Sequence, residues 1–228
     1  MSDRADEPAA LLWDMDGTLV DSEKLWTIGL NELAAQLGGE LSQAARDSLV
    51  GSNVDRTMRI LFEEVGREPD PAEMARAAKW LDERTGELFV DGLVWKPGAR
   101  EALVSVRAAG FTCALVTSTE RRLTEVALNT IGREFFDASV CGDEVDGRNK
   151  PLPEPYLRAA RLLGVDPGDC VAVEDSPTGA ISAETAGCTV LVVPSEVPVP
   201  AGERRVQRAS LVGVDAGFFA GIRQAEAA

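Results

Sequence analysis

Two acidic residues, Asp14 and Asp16, stand one residue apart directly after the apolar run Ala10–Trp13. A carboxylate at the end of a buried strand is costly unless it is paired, protonated or bound to a metal. A second acidic pair, the adjacent residues Glu174 and Asp175, follows another apolar run. The two pairs therefore predict a site in which a metal ion and a cationic side chain compensate the carboxylates.

Hydroxyl and ammonium groups follow the other apolar runs. Thr117 and Ser118 come directly after Thr112–Val116, and Lys150 follows Ala138–Cys141 and its loop. In an open parallel sheet, ligands bind outside the carboxyl ends of the strands. We therefore expect these groups to converge in one crevice, with Thr117 and Ser118 as candidate phosphate ligands.

Metal-assisted phosphoryl transfer is the chemistry that this set of residues favours. Asp14 and Asp175, with a backbone carbonyl and waters, would form an all-oxygen site suited to Mg²⁺. One oxygen of Asp14 could attack phosphorus and form an aspartyl-phosphate, and Asp16 could protonate the leaving oxygen and then activate water. Thr117 and Lys150 could bind the transferring phosphoryl oxygens.

The elements that must position these residues alternate along the chain. Short apolar runs predict strands, and apolar residues at helical spacing lie between them, which indicates a parallel sheet covered by helices on both faces. The predicted strands are Ala10–Trp13, Thr112–Val116, Ala138–Cys141, Cys170–Val173 and Thr189–Val193. A short C-terminal helix is predicted around Phe218–Arg223.

One long segment interrupts this alternation. From about Ser22 to Leu93 no strand is predicted, and apolar residues such as Leu33 and Leu37 recur about every four positions, as on an amphipathic helix. We interpret residues 21–93 as a helical cap inserted after the first strand, and residues 1–20 and 94–228 as the catalytic core.

Composition excludes several classes of protein. The chain has 228 residues, a net charge of −15 and a sequence pI near 4.5, which argues against a nucleic-acid polymer or an anionic membrane as partner. Histidine is absent, which removes Ser-His-Asp and Cys-His catalysis.

No apolar run reaches membrane-spanning length, and the polar first ten residues lack the apolar region of a signal peptide. Together with four scattered cysteines, these features predict a cytoplasmic protein with buried thiols, and we expect a monomer or at most a weak dimer.

Four stretches of the sequence also resemble the signature motifs of a known family, the haloacid dehalogenase-like phosphatases. They are DMDGTLVDS, LVTST, KPLPEPY and VEDSPTGAISAETAG, in the family order, and the resemblance runs from about Leu11 to Val193. It implies a Rossmann-like sheet of strand order 5-4-1-2-3 with an inserted α-helical cap. It also implies a Mg²⁺-dependent enzyme that acts on a small phosphorylated metabolite.

The resemblance assigns a role to each motif residue. It implies that Asp14 is the nucleophile, and that Asp16 is the acid and base with its main-chain carbonyl on Mg²⁺. It places Asp175 on Mg²⁺ and Glu174 where the family usually orients the metal-bound waters.

The third motif departs from the family pattern at one position. Thr117 and Lys150 match the phosphate-binding positions, but Asn149 stands where the family usually has glycine. The loop before Lys150 is also about one residue longer than in the family pattern, so the reach of Lys150 depends on how this loop folds.

The loop Gly51–Thr57 matches a place where relatives contact the leaving group. Asn53 and Arg56 could select a hydroxyl or carboxylate of the substrate. Alternatively, Asn53 caps a helix and Arg56 lies in solvent. The sequence leaves both interpretations open.

Three functions remain open at this stage. The first is a phosphatase for a small monoester, such as a sugar phosphate, phosphoglycolate or a nucleoside monophosphate. The second is a sugar phosphomutase of the β-phosphoglucomutase kind, which needs further cationic contacts for a second phosphate, where this chain offers Arg56 and Arg59. The third is a non-catalytic binding protein on the same scaffold.

Overall fold

The computed structural model of the chain describes residues 7–49 and 51–222. Parts of several predictions lie outside the described residues. These are the first six of the ten polar N-terminal residues, residue 50 of the predicted cap, and the end of the predicted C-terminal helix at Arg223 together with the rest of the predicted core up to residue 228.

Strands and helices alternate outside one helical segment. The strands are β1 (Ala10–Trp13), β2 (Cys113–Val116), β3 (Ala138–Val140), β4 (Cys170–Glu174), β5 (Thr189–Val192) and β6 (Arg205–Gln207). The helices are α1 (Glu23–Gln36), α2 (Gln43–Leu49), α3 (Val54–Glu64), α4 (Pro71–Gly92), α5 (Ala99–Ala108), α6 (Arg121–Ile131), α7 (Glu154–Leu163), α8 (Pro177–Ala186) and α9 (Ala216–Gly221).

All described strands pair in parallel in one sheet of order β3-β2-β1-β4-β5-β6. The predicted order 5-4-1-2-3 is confirmed, with β6 added beside β5. This sixth strand was not predicted, because Arg205–Gln207 carries one apolar residue and no buried one. A three-residue strand at the edge of a sheet needs no continuous apolar run.

The sheet is buried on both faces, as the apolar runs predict. Alternate residues of β1 point in opposite directions, so Leu11 and Trp13 pack with α5, α6 and α9, whereas Leu12 packs with α7 and α8. Because β1 lies between β2 and β4, Asp14, which follows β1, lies near the middle of the row formed by the carboxyl ends of the strands.

Helices α1 to α4 form a separate layer with a hydrophobic cluster of its own. Its buried residues are Leu30, Leu33, Ala34, Leu41, Ala45, Leu49, Met58, Leu61, Phe62, Ala77 and Leu81. Trp26 of α1 packs against both this cluster and the cluster under the sheet. The four helices fold as the predicted insertion, whereas its exact division from the core at residues 20/21 and 93/94 stays a prediction.

The chain leaves the sheet for these helices and returns from them at adjacent points. The Asp21 amide donates to the Val94 carbonyl at 2.8 Å, and the Lys96 amide donates to the Leu19 carbonyl at 2.9 Å. Val20 and Trp95 form an antiparallel bridge between these two bonds. The insertion is therefore joined to the sheet through one short, doubly bonded neck.

Two further sequence expectations concern the cysteines and membrane-spanning segments. All four cysteine thiols are buried, and none in the described residues forms a disulfide. Across residues 7–49 and 51–222, no helix combines the length and the apolar character needed to cross a membrane.

Candidate active site

Three neighbouring strands bring candidate residues together at one edge of the sheet. Asp14, Thr117 and Asp175 follow β1, β2 and β4, and Lys150 arrives from the loop after β3. A cavity of about 590 Å³ lies between this edge and the helical insertion. Of the predicted site residues, it is lined by Asp14, Asp16, Ser118, Lys150 and Asp175.

Lys150 lies between two carboxylates at the floor of this cavity. Its Nζ donates to Asp14 Oδ1 and to Glu174 Oε1, both at 2.7 Å, and to the Val116 carbonyl at 2.9 Å. All three side chains are buried. Lys150 therefore reaches the site although Asn149 precedes it.

The electrostatics of this group follow from its burial. The pKa of Asp14 is raised to about 7, chiefly by burial and to a smaller extent by the charges of Glu174 and Asp16, while the charge of Lys150 opposes the rise. Burial alone would lower the pKa of Lys150, but the charges of Asp14 and Glu174 raise it above its ordinary value. Lys150 therefore stays protonated, and its positive charge compensates both carboxylates.

Further hydrogen bonds hold both carboxylate oxygens of Glu174. The Tyr156 hydroxyl donates to Glu174 Oε1 at 2.5 Å, and the Ser176 hydroxyl donates to Oε2 at 3.3 Å. Gly179 leaves room for the carboxyl group, because a Cβ at that position would lie 2.0 Å from it. Sequence reasoning missed this contact, because it gave Tyr156 no role beyond its place in the motif KPLPEPY.

Asp175 has an unsatisfied oxygen. Its side chain is buried, and Oδ2 has no hydrogen-bond partner among the described residues. Burial and the charge of Asp14 raise the pKa of Asp175 well above its ordinary value. Carboxylate oxygens of Asp14, Glu174 and Asp175 lie within 4.8 Å of one another. A cluster of oxygen ligands with a buried, unpartnered acceptor fits a hard cation such as Mg²⁺.

Asp16 is held by four donors. Its Oδ1 accepts from the Ser22 hydroxyl at 2.7 Å and from Trp26 Nε1 at 3.2 Å. Its Oδ2 accepts from the hydroxyls of Thr119 at 2.8 Å and Thr117 at 3.1 Å. The carboxylate therefore joins the first turn of the insertion to the loop after β2.

Three of these donors were not predicted. Ser22 and Trp26 are four residues apart at the start of α1, a spacing that places them on one helix face and could have indicated a shared partner. Thr119 has no comparable signal, because its contact with Asp16 spans 103 residues of chain.

The remaining predicted residues are Ser118, Asn53 and Arg56. Ser118 lines the cavity, and its hydroxyl donates to the Gly51 carbonyl at 3.5 Å. Asn53 caps α3 by accepting from the Arg56 amide at 3.0 Å, and Arg56 is exposed. Within residues 7–49 and 51–222, the cavity lining includes neither Asn53 nor Arg56. Their contact with a substrate stays a prediction.

Comparison with known proteins decides the family. The family model for haloacid dehalogenase-like hydrolases matches residues 11–193, a span that contains all four motifs quoted above. The chain is a haloacid dehalogenase-like hydrolase. The family predicted from the motifs is thus confirmed.

Two curated relatives of this hydrolase bear phosphatase names. It is 34% identical over 190 residues to a phosphoglycolate phosphatase of Nitrosospira multiformis, covering 81% of this chain and 82% of the relative. It is 32% identical over 191 residues to hexitol phosphatase B of Escherichia coli, covering 82% and 83% of the two chains.

Solved structures show the same fold. A β-phosphoglucomutase of Clostridium difficile superimposes with a TM-score of 0.84 at 20% identity, covering 96% of this hydrolase and 98% of that chain. A CbbY protein of Rhodobacter sphaeroides, in complex with xylulose 1,5-bisphosphate, superimposes with a TM-score of 0.78 at 28% identity, covering 91% and 99%.

Proposed function

We propose that this hydrolase is a Mg²⁺-dependent phosphatase that cleaves a small phosphate monoester through an aspartyl-phosphate on Asp14. The observation that carries the proposal is the buried cluster of Asp14, Lys150, Glu174 and Asp175 at the floor of a cavity of about 590 Å³. The phosphatase names of relatives at 32% and 34% identity support the same reaction class.

The ligand set supports Mg²⁺ as the cofactor. Asp14 and Asp175 would hold the ion, with Glu174 beside them in the same acidic cluster. When bound, Mg²⁺ would neutralise charge on the carboxylates and on the phosphoryl group. The unpartnered Oδ2 of Asp175 is the atom that most needs such a partner.

Asp14 is the proposed nucleophile. One carboxylate oxygen forms a bond to phosphorus while the bond from phosphorus to the leaving oxygen breaks. Lys150 is within hydrogen-bond reach of Asp14, and it is therefore placed to contact the phosphoryl oxygens as they approach. Thr117 is assigned to the same oxygens, which requires its hydroxyl to turn away from Asp16.

Asp16 is the proposed acid and base. It gives a proton to the leaving oxygen, and in the second half-reaction it takes a proton from the water that cleaves the aspartyl-phosphate. To reach the leaving oxygen, its carboxyl group has to release some of its four present donors. Two of these, Ser22 and Trp26, belong to the insertion, so movement of the helices is coupled to the position of Asp16.

The test is phosphate release from a panel of monoesters with Mg²⁺ and with EDTA. We expect release to require Mg²⁺ and to fall by about three orders of magnitude or more in Asp14→Asn. Asp91→Asn, an exposed residue of α4, is the matched control and should keep full activity. Rapid acid quench and peptide mass analysis should find a phosphoryl group on the Asp14 peptide. A folded protein that binds Mg²⁺ but releases phosphate from no monoester would overturn the proposal.

A further inference from the structure

The cavity is larger than a phosphoryl group requires. Its volume of about 590 Å³ lies within the range of ordinary small-molecule sites. One part of its wall is apolar, formed by Trp26, Ile28, Leu30, Met58, Leu81 and Leu123. A leaving group of about sugar size, with carbon–hydrogen surface on one side, fits this space.

The charged part of the wall is predominantly acidic. Besides the candidate catalytic residues, five carboxylates of the described residues line the cavity, namely Glu23, Asp47, Asp82, Glu120 and Glu196. Two cations besides Lys150 line it, Lys24 and Arg46. An anionic leaving group would therefore meet more negative than positive charge.

Of the three described cations that line the cavity, two are paired with carboxylates. Lys24 is exposed and pairs with Asp21 at 2.6 Å, and Lys150 is held by Asp14 and Glu174. Arg46 donates through Nη2 to the Leu41 carbonyl at 2.7 Å and to Asn31 Oδ1 at 3.2 Å, but it forms no ion pair in the described residues, and its buried Nε has no hydrogen-bond partner there.

Additional cations nearby do not point into the cavity. Arg56 and Arg59 of α3 are exposed, and the lining drawn from residues 7–49 and 51–222 includes neither. Arg122 of α6 is neutralised by Asp82, to which it donates through Nε. Among the described residues, Arg46 is therefore the one cation of the cavity wall without a carboxylate partner, and it shares the cavity with Asp47, Glu120 and Glu196, which form no ion pair there either.

From these charges we infer that the leaving group of the substrate carries no second anionic group. This inference rests on the proposed phosphatase function and narrows its substrate class to monophosphates of neutral or cationic alcohols. Glu120 and Glu196 disfavour bisphosphates and phosphorylated acids, because they repel the additional negative charge of these substrates. The inference separates this chain from the CbbY protein that was crystallised with a bisphosphate, and it opposes a mutase, which must rebind a bisphosphate.

Two size-matched substrate series test the inference. The first is glucose 6-phosphate, glucosamine 6-phosphate and 6-phosphogluconate, which are neutral, cationic and anionic outside the phosphate. The second is ethyl phosphate, phosphoethanolamine and phosphoglycolate. In both series we expect kcat/KM for the anionic member to be about tenfold or more below that of the neutral one, with the cationic member at least equal to the neutral one. The difference should shrink as salt screens the charges.

Substitution of the wall carboxylates provides the second measurement. The double variant Glu120→Gln, Glu196→Gln should raise the ratio of kcat/KM for the anionic member to that for the neutral member by about threefold or more. Glu101→Gln, an exposed residue of α5 outside the cavity, is the matched control and should leave the ratio unchanged.

The outcomes separate this inference from the function on which it rests. Hydrolysis in which the anionic members are as good as the neutral ones overturns the inference and leaves the phosphatase standing. A ratio that stays constant in the double variant overturns the role of the wall carboxylates. Absence of hydrolysis for every substrate, with Mg²⁺ bound, overturns the phosphatase function itself.

Discussion

Lys150 Nζ lies 2.7 Å from Glu174 Oε1, and the same nitrogen lies 2.7 Å from Asp14 Oδ1. One ammonium group therefore compensates two buried carboxylates. Removing a partner from a buried ion cluster is more damaging than replacing the whole cluster, because the remaining charges stay buried without compensation.

Lys150→Met should accordingly destabilise the protein. Methionine keeps a similar length but brings no charge, so we expect the free energy of unfolding in urea to fall by about 3 kcal/mol, with loss of phosphate release. Lys79→Met is the control, because Lys79 is exposed and its one ion pair in the described residues is with Glu83 at 3.8 Å. Its effect on the free energy of unfolding should stay within about 0.5 kcal/mol. Equal stability of the two variants would contradict the compensation described here.

The raised pKa of Asp14 predicts how stability depends on pH without metal. Its pKa is about 7 in the folded, metal-free protein and 3.8 ordinarily, so the folded state binds the proton more tightly. The contribution to stability is fully present below the ordinary pKa and is lost as pH rises through 7. Asp175, whose pKa is also raised, acts in the same direction.

In EDTA we therefore expect the free energy of unfolding to fall between about pH 4 and pH 7. Mg²⁺ should restore more stability at the upper pH, because it binds the deprotonated carboxylates. Urea titrations at several pH values, with EDTA or with saturating Mg²⁺, measure both effects. Asp14→Asn should flatten the dependence, whereas a Mg²⁺ increment that is the same at all pH values would refute the linkage.

The close approach of Gly17 to Asp175 leads to a prediction about Mg²⁺ affinity. A Cβ on Gly17, whose φ is 76°, would lie 2.1 Å from Asp175 Oδ2. Gly17→Ala should therefore displace this carboxylate and lower Mg²⁺ affinity by about tenfold or more, in line with other changes around metal ligands. Calorimetric titration with Mg²⁺ measures the change.

Gly66→Ala is the matched control for that experiment. Gly66 has a similar φ of 69°, but nothing lies within 4 Å of its added Cβ. Both variants carry the backbone strain of alanine in the left-handed region, about 1 kcal/mol, and Gly17→Ala alone adds the clash. If the two variants bind Mg²⁺ equally well, the close approach of Gly17 to Asp175 has no part in the metal site.

Arg122 joins the insertion to the sheet layer. From α6 it donates to both the carboxylate and the main-chain carbonyl of Asp82 on α4. Because half-exposed ion pairs contribute little to stability, Arg122→Gln should change KM by about threefold while the free energy of unfolding changes by less than about 1 kcal/mol. Arg133→Gln, which breaks a pair with Glu125 at 2.7 Å away from the insertion, should leave KM unchanged. Equal KM values for the two variants would show that the link does not affect binding.

Much of the fold and part of the site could be predicted from the sequence, for a physical reason. Central strands buried on both faces must be continuous apolar runs, and the polar residues that end them must meet at one edge. Asp14, Lys150 and Asp175 were found in this way. Edge strand β6 lacks such a run, because it buries none of its residues.

The hydrogen bonds that orient the site could not be predicted. The contacts of Asp16 with Thr119 and of Glu174 with Tyr156 join residues that are 103 and 18 positions apart, and they depend on side-chain direction rather than on spacing. The charge of the cavity wall also comes from loops and helices that only the folded chain brings together, as Glu23 and Glu196 illustrate.

The doubly bonded neck at Leu19–Asp21 and Val94–Lys96 makes the helical insertion a module. Its two ends lie side by side, so the sheet fixes where the segment begins and ends, and closing a longer or shorter segment over the same neck changes the loop entropy only slowly with length. Insertions, deletions or exchange of these helices can therefore alter the substrate without shifting the register of any strand. Chemistry and selectivity can evolve separately in such a protein.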